Sequence, residues 1–447
     1  MGHSPLAVGF VPIARTTFDM ALARQVTGQA RALLAGAGFA LSGPEMPVTS
    51  LDEVRPVSRQ LAEYALDLLV IFQATFADST MLLALAESTD VPLLLWAVPE
   101  APNGGRLRLN SLCGVNLGAH ALTRQSRRYF TVYAAPDDPS LLRQVELVAR
   151  AGRARRLLRG ARIGRVGEHP DGFPTCEPRP AALRERFGVD VVQMTLEEVF
   201  AGVRAADAHA VDDVQAALGG RVTGLRDVEQ GALRGTLATY LTLHQMARRN
   251  GLAAFAVRCW PQFFTELGCA ACGALGLLTD ELTPASCETD VNGAVTQLIL
   301  QGVSGEPAFD SDVVSFDVAG DTAVLWHCGK APLSMADPDF APRATIHSNR
   351  QLPLLLEFPL RPGVITLARL SEANGDYRLV VGRGEVIRAP LSFSGTSGVV
   401  RFERPAREVL SAILDEGLEH HLTLTYGDHL EALLALAHLL DLPVLRL

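Results

Sequence analysis

The chain is 447 residues long, 48% apolar and 20% charged, with a formal net charge of −9. That length exceeds one ordinary core and predicts two or three domains, and the composition is that of an ordered globular protein rather than a disordered one. The acidic balance excludes the broad basic face of a nucleic-acid binder, and no apolar run reaches the roughly 18 residues that a membrane span needs.

The opening segment, MGHSPLAVGFVPIAR, has no basic n-region and no long apolar stretch, so no signal peptide is expected. AVGFVPI (Ala7 to Ile13) reads as a short strand, and FDMALARQVTGQARALLAGAG after it has helical spacing and stops at glycine. LDLLVIFQ (Leu66 to Gln73) and VPLLLWAV (Val91 to Val98) are continuous apolar runs, which suit strands buried on both faces of a parallel sheet. YFTVYAA (Tyr129 to Ala135) and a helix from about Ser140 to Arg159 close a first α/β domain, residues 1–159. A second α/β unit, residues 160–305, starts at ARIGRVG (Ala161 to Gly167), runs through the Gly/Pro loop GEHPDGFPTCEP, and continues with the strand VDVVQMT (Val189 to Thr195). Helices fill roughly Leu196 to Asn250, and LAAFAVRC (Leu252 to Cys259) is again a buried strand. From residue 306 to 447 the texture changes. AVLWHCG, LLLEFPL, GVITLARL, YRLVVGRGEVI and SGVVRFE are strands without helices between them, as in an antiparallel barrel or sandwich. A helix, strand and helix (Ala406 to Leu440) and the run PVLRL follow. The expected fold is two doubly wound, Rossmann-like α/β domains followed by a C-terminal antiparallel β-barrel domain with flanking helices.

Seven cysteines, an odd number scattered along the chain, point to reduced thiols and a cytoplasmic protein. Cys269 and Cys272 form a CxxC, but a zinc ribbon needs a second pair, so a buried helix face is the plainer reading. Lys330 is the only lysine, and nothing around it supports Schiff-base chemistry. The first strand leads into PIARTTFD rather than a GxGxxG, which sets a nicotinamide dehydrogenase aside.

In doubly wound sheets ligands bind beyond the carboxyl ends of the strands. Glu266 follows the strand ending at Cys259. Glu288 and Asp290 follow the run ASC and precede a helix. A surface position is the plainer explanation of Glu266, and a helix cap explains Asp290 as well as a metal site does. Period-2 alternation puts His421, Thr423 and Thr425 on one strand face, a polar face that reads as wet and functional. Half-exposed strand histidines would explain His420 and His421 equally well. For His327, a satisfied, partly buried histidine is the plainer reading.

The segments VGFVPIAR, VIFQATFADSTM, LLLWAVPE, LNSLCGVN, RVGEHPDGF, VRCWPQF, CETDVNGA, LWHCGKAP and HHLTLTYGDH, in this order and spacing, resemble the L-fucose isomerase and L-arabinose isomerase superfamily, in particular its shorter fucose-isomerase-like branch. The resemblance implies a divalent metal, Mn2+ or Mg2+, held by Glu266, Asp290 and His421, with Glu266 and Asp290 also catalytic. It places Arg15, Gln73 and Asn110 near the sugar, with Asn116 a weaker match. His327 resembles a metal histidine of the arabinose isomerases alone. Glu288, His420 and the CxxC fall to the scaffold. The implied activity is aldose–ketose interconversion through an enediol, with the metal as Lewis acid and a carboxylate moving the proton. A small-molecule sugar is the implied partner, in a homo-oligomer (a trimer or hexamer) whose neighbouring subunit can complete the site. The alternative is a sugar-binding or regulatory protein on the same fold that does no chemistry.

Overall fold

The structure, a computed structural model, describes residues 5–447. The chain forms two compact units, residues 1–156 with 431–441, and 157–430 with 442–447. The stretches 160–305 and 306–447 thus share the second unit, apart from residues 431–441.

In the first unit, β1 (Ala7–Ile13), β2 (Ala40–Ser42), β3 (Leu68–Gln73), β4 (Leu93–Ala97) and β5 (Phe130–Tyr133) form a sheet of order β2-β1-β3-β4-β5. All its pairings are parallel. The apolar runs behave as two-sided burial demands: Leu68, Val70 and Phe72 enter one core while Leu69 and Ile71 enter the other, because successive strand side chains alternate faces. Asp19 caps the helix Met20–Gly36 through the Leu22 amide. Chain order reverses between β1 and β3, which makes their carboxyl ends the switch point where such sheets bind ligands. The helix Leu430–Leu440 also supplies this unit: the His438 ring meets Phe130 edge-on at 5.2 Å, and Arg128 pairs with Asp441.

The second unit begins with β6 (Arg162–Val166), β7 (Asp190–Met194), β8 (Ala254–Val257) and β9 (Ala285–Ser286), a parallel sheet of order β7-β6-β8-β9. A nine-stranded sheet follows, built from β10 (Phe309–Asp317), β11 (Thr322–His327), β12 (Arg343–Thr345), β13 (Leu355–Pro359), β14 (Gly363–Ser371), β15 (Arg378–Ile387), β16 (Thr396–Phe402), β17 (His421–Tyr426) and β18 (Val444–Arg446). Its order is β12-β13-β16-β11-β10-β17-β14-β15-β18, with β15 also pairing β16. Two parallel pairs, β13–β16 and β15–β18, make it a mixed sheet rather than a purely antiparallel one.

The helix Val291–Ser304 packs against β8, β14 and β17, and almost every residue of it is buried. Its sequence, VNGAVTQLILQGVS, has no charged residue, as suits a helix covered on all sides. β17 is covered on both faces too. The expected wet face of His421, Thr423 and Thr425 is therefore corrected: the three are 0–1% exposed. Helix 291–304 fills the side from which water would have come, and Thr425 donates to the Pro307 carbonyl at 3.0 Å.

Candidate active site

Four elements deliver charged side chains to one place in the second unit. Asp290 is the residue before helix 291–304, and its Oδ1 accepts the Gly293 amide at 2.8 Å. Arg369, on β14, reaches both Asp290 oxygens at 2.5 and 3.1 Å. His421 opens β17, and its Nδ1 lies 2.9 Å from Asp290 Oδ2. β10 pairs with β17 so that Asp312 stands opposite His421. Asp290, Arg369 and His421 are each 1% exposed.

Every acceptor position of Asp290 is in use: Oδ1 by Gly293 and Arg369, Oδ2 by Arg369 and His421. Burial alone would raise its pKa, but the Arg369 guanidinium and His421 outweigh burial and hold it well below the carboxylate range. An ionised Asp290 accepts the Nδ1 proton of His421, which leaves Nε2 as the nitrogen that a metal could take in place of a proton. That is the usual second-sphere arrangement of a metal-ligating histidine. Nε2 is buried and has no hydrogen-bond partner. The carboxylates nearest it are Asp312 Oδ1 at 3.4 Å and Glu288 Oε2 at 3.9 Å. Burial works against a charged His421, and Asp310, Asp290 and Asp312 override it to raise the ring to about 9. The same negative surroundings would favour a bound cation in place of that proton.

Asp312, His327 and His421 have ligand atoms close enough to share one ion, as do Cys176, His420 and His421. His327 ends β11 and is buried with Nε2 unpartnered. Its Nδ1 accepts the Cys328 amide at 2.8 Å. Burial, then the nearby Lys330, push its pKa well below the usual histidine value, so the ring is neutral and carries its proton on Nε2. It therefore aims a donor into the cluster. Lys330 itself is spent on Asp310, at 2.8 and 3.0 Å. Asp310 is matched to Lys330 and Asp290 to Arg369; Glu288, paired with His420 at 3.0 Å, and Asp312 are the other acids around His421 Nε2. Two carboxylates and one imidazole are a fitting donor set for a divalent ion of the manganese type.

Glu288 and Thr289 both adopt the left-handed conformation, φ 57° and 60°. This turn brings the Glu288 carboxylate to Trp260 Nε1 at 3.1 Å and His420 Nε2 at 3.0 Å. The Thr175 hydroxyl meets His420 Nδ1 at 3.0 Å, so a chain Thr175–His420–Glu288 runs beside His421. His420 is 36% exposed and Glu288 16%, which makes this the open side of the cluster.

Of the residues expected from sequence, Asp290 and His421 lie together in this cluster. Glu266 ends the short helix Gln262–Thr265 and is exposed, with no hydrogen bond or ion pair on its carboxylate among the described residues. Arg15, Gln73 and Asn110 belong to the first unit and gather at the β1/β3 switch point. Gln73 pairs in register with Ile13, the Arg15 amide donates to Thr75 Oγ1 at 2.8 Å, and Asn110 precedes Ser111, whose hydroxyl donates to the Gln73 carbonyl at 2.5 Å. Both polar atoms of the Gln73 amide are buried without a partner. Glu288 and His420, set aside as scaffold from the sequence, lie in this cluster too, and Asp312 and Arg369 were not singled out by sequence reasoning. The one legible hint was Asp310 and Asp312 at alternate positions of an apolar strand, a polar pair on one face.

A family model for the fucose/sulfoquinovose isomerase N-terminal domain matches residues 9–155, and one for the L-fucose isomerase C-terminal domain matches residues 325–447. The chain is 32% identical over 440 residues to the sulfoquinovose isomerase of Priestia aryabhattai, covering 97% of both chains. It is 31% identical over 444 residues to the sulfoquinovose isomerase of Alkalicoccus urumqiensis, covering 99% of both. An L-arabinose isomerase of Nocardioides is 26% identical over 343 residues, 70% of this chain and 66% of that one. With both family models matched and full-length relatives of one activity, the chain belongs to the fucose/sulfoquinovose isomerase family and is an aldose–ketose isomerase.

Proposed function

We propose that the protein interconverts sulfoquinovose, a hexose with a sulfonate at C6, and the corresponding 2-ketose through an enediol, with manganese as cofactor. Similarity to sulfoquinovose isomerases along nearly the whole chain supports the substrate. The metal reading is carried by one observation: a buried His421 Nε2 without a hydrogen-bond partner, with the Glu288 and Asp312 carboxylates 3.9 and 3.4 Å away. Glu288, Asp312 and His421 would hold the ion, and Asp290 positions His421. Once bound, the ion would polarise the sugar carbonyl and stabilise enediolate charge.

The chain's own residues supply the rest. Glu288, on the open side and hydrogen-bonded to His420, carries the proton between C2 and C1. His327 donates from Nε2 to a sugar oxygen. Glu266, whose carboxylate has no other engagement, is assigned the second proton-carrying role, between the two oxygens. Arg15, Gln73 and Asn110 bind sugar hydroxyls, with the first unit of a neighbouring subunit completing the site in a homo-oligomer. The test is conversion of sulfoquinovose followed by carbon NMR, in chelator-stripped protein with and without added manganese. No ketose signal in the metal-loaded protein refutes the reading. Manganese titration of Glu266→Gln settles the fate of that residue: a Kd raised tenfold or more puts its carboxylate in the metal shell, and an unchanged Kd keeps it outside.

A further inference from the structure

We infer that Arg350 is the residue that binds the anionic end of the substrate and selects a sulfonated sugar over a neutral one; this rests on the function proposed above. Arg350 lies on the loop between β12 and β13, half-buried. Its guanidinium sits over the Trp260 ring at 4.9 Å from the centroid and over Phe264 at 5.2 Å. Its other polar contact is His347 Nε2, 3.4 Å from Nη1. No carboxylate pairs with it among the described residues. Several other arginines of this unit differ. Arg369, Arg378 and Arg383 each hold an acid, and Arg258 is engaged by Gln262 and the carbonyls of Glu168 and His169. Arg350 is thus a fixed cation without a counter-ion, held on an aromatic platform.

Its position relative to the chemistry gives the platform a purpose. The indole that carries Arg350 on its face donates its N–H to Glu288. One aromatic ring therefore spans from the proton-carrying carboxylate to the unpaired guanidinium. A hexose with C1 and C2 at Glu288 and His421 would run along that ring toward Arg350 with its C6 end. A sulfonate stays anionic at any physiological pH, so its natural partner is a cation that never loses its charge. The planar guanidinium can meet two sulfonate oxygens at once, which an ammonium does less well. The Phe264 ring packs edge-on against His347 at 5.3 Å. This pins the loop, so the cation is placed before substrate arrives and little ordering entropy is lost on binding.

The test compares kcat/KM for sulfoquinovose with kcat/KM for quinovose, the same sugar without the sulfonate. In Arg350→Met the ratio of the two should fall about 10- to 100-fold, the worth of a charge-assisted hydrogen-bond pair. Arg350→Lys should recover part of it, which a folding defect would not. Inhibition by 2-hydroxyethanesulfonate should weaken about tenfold or more in Arg350→Met. If the wild-type protein converts sulfoquinovose but the ratio moves less than threefold, Arg350 is not the selector. If the wild-type protein does not convert sulfoquinovose at all, the proposed substrate is wrong and the role of Arg350 falls with it.

Discussion

Asp290→Ala is the most exposed consequence of the site geometry. The substitution leaves Arg369, 1% exposed, with only Glu419 Oε2 at 3.7 Å and the Thr175 carbonyl at 3.4 Å. Stranding one partner of a buried ion pair costs about 3–5 kcal/mol. Loss of the Gly293 cap adds about 1 kcal/mol, for a total of about 4–6 kcal/mol. The assay is urea unfolding followed by far-UV circular dichroism, in chelator so that metal linkage does not contribute. The companion variant is Asp290→Ala with Arg369→Met. Removing the stranded charge should return at least about 2 kcal/mol, since apolar replacement of a buried pair is often neutral. A loss below about 1.5 kcal/mol in the single variant, or no recovery in the double variant, would falsify the view that Asp290 and Arg369 form one neutralised unit.

Three further outcomes are expected. Chelator-stripped protein should regain isomerase activity with manganese, and metal at a hundred times its Kd should add about 2.7 kcal/mol of stability, an increment that His421→Gln removes. Gln73→Leu should stabilise the first unit by about 1 kcal/mol, because a buried amide with two unpaired atoms disappears, while raising KM for the sugar; a KM that does not move would take Gln73 out of substrate binding. Gly152→Ala would normally favour a helix by about 1 kcal/mol. Here its Cβ would lie 1.8 Å from the Asp67 carbonyl oxygen, between backbone atoms that cannot turn aside. Thermal melts should therefore show a net loss of about 1–3 kcal/mol.

The strands β1, β3, β4 and β8 were legible because burial on both faces leaves an uninterrupted apolar run. β17 misled for a related reason. Its alternating His and Thr looked like a water-facing side, whereas that face is buried, and His421 and Thr425 make their hydrogen bonds inside. The pairing of Asp290 with His421 joins residues 131 apart in sequence. It depends on the β10–β17 and β14–β17 registers, which no local pattern encodes. Glu288 was set aside as scaffold for a different reason. Two consecutive left-handed residues turn its carboxylate toward His420, and neither Glu nor Thr advertises that conformation as glycine would. Arg350 escaped notice because an arginine without a partner looks like any other arginine until the positions of all the acids are known.

The helix Leu430–Leu440 has a bearing on how the protein comes into being. It belongs to the unit made mostly of residues 1–156, yet it emerges from the ribosome after almost everything else. At 5–20 residues per second, the interval between residue 156 and residue 441 is on the order of 15–60 s. During that time Phe130 and Arg128 lack His438 and Asp441, their partners on the late helix. The N-terminal unit therefore cannot finish first, as domains usually do during synthesis. It waits half-covered for its last piece, and that interval is when this chain would most depend on a chaperone.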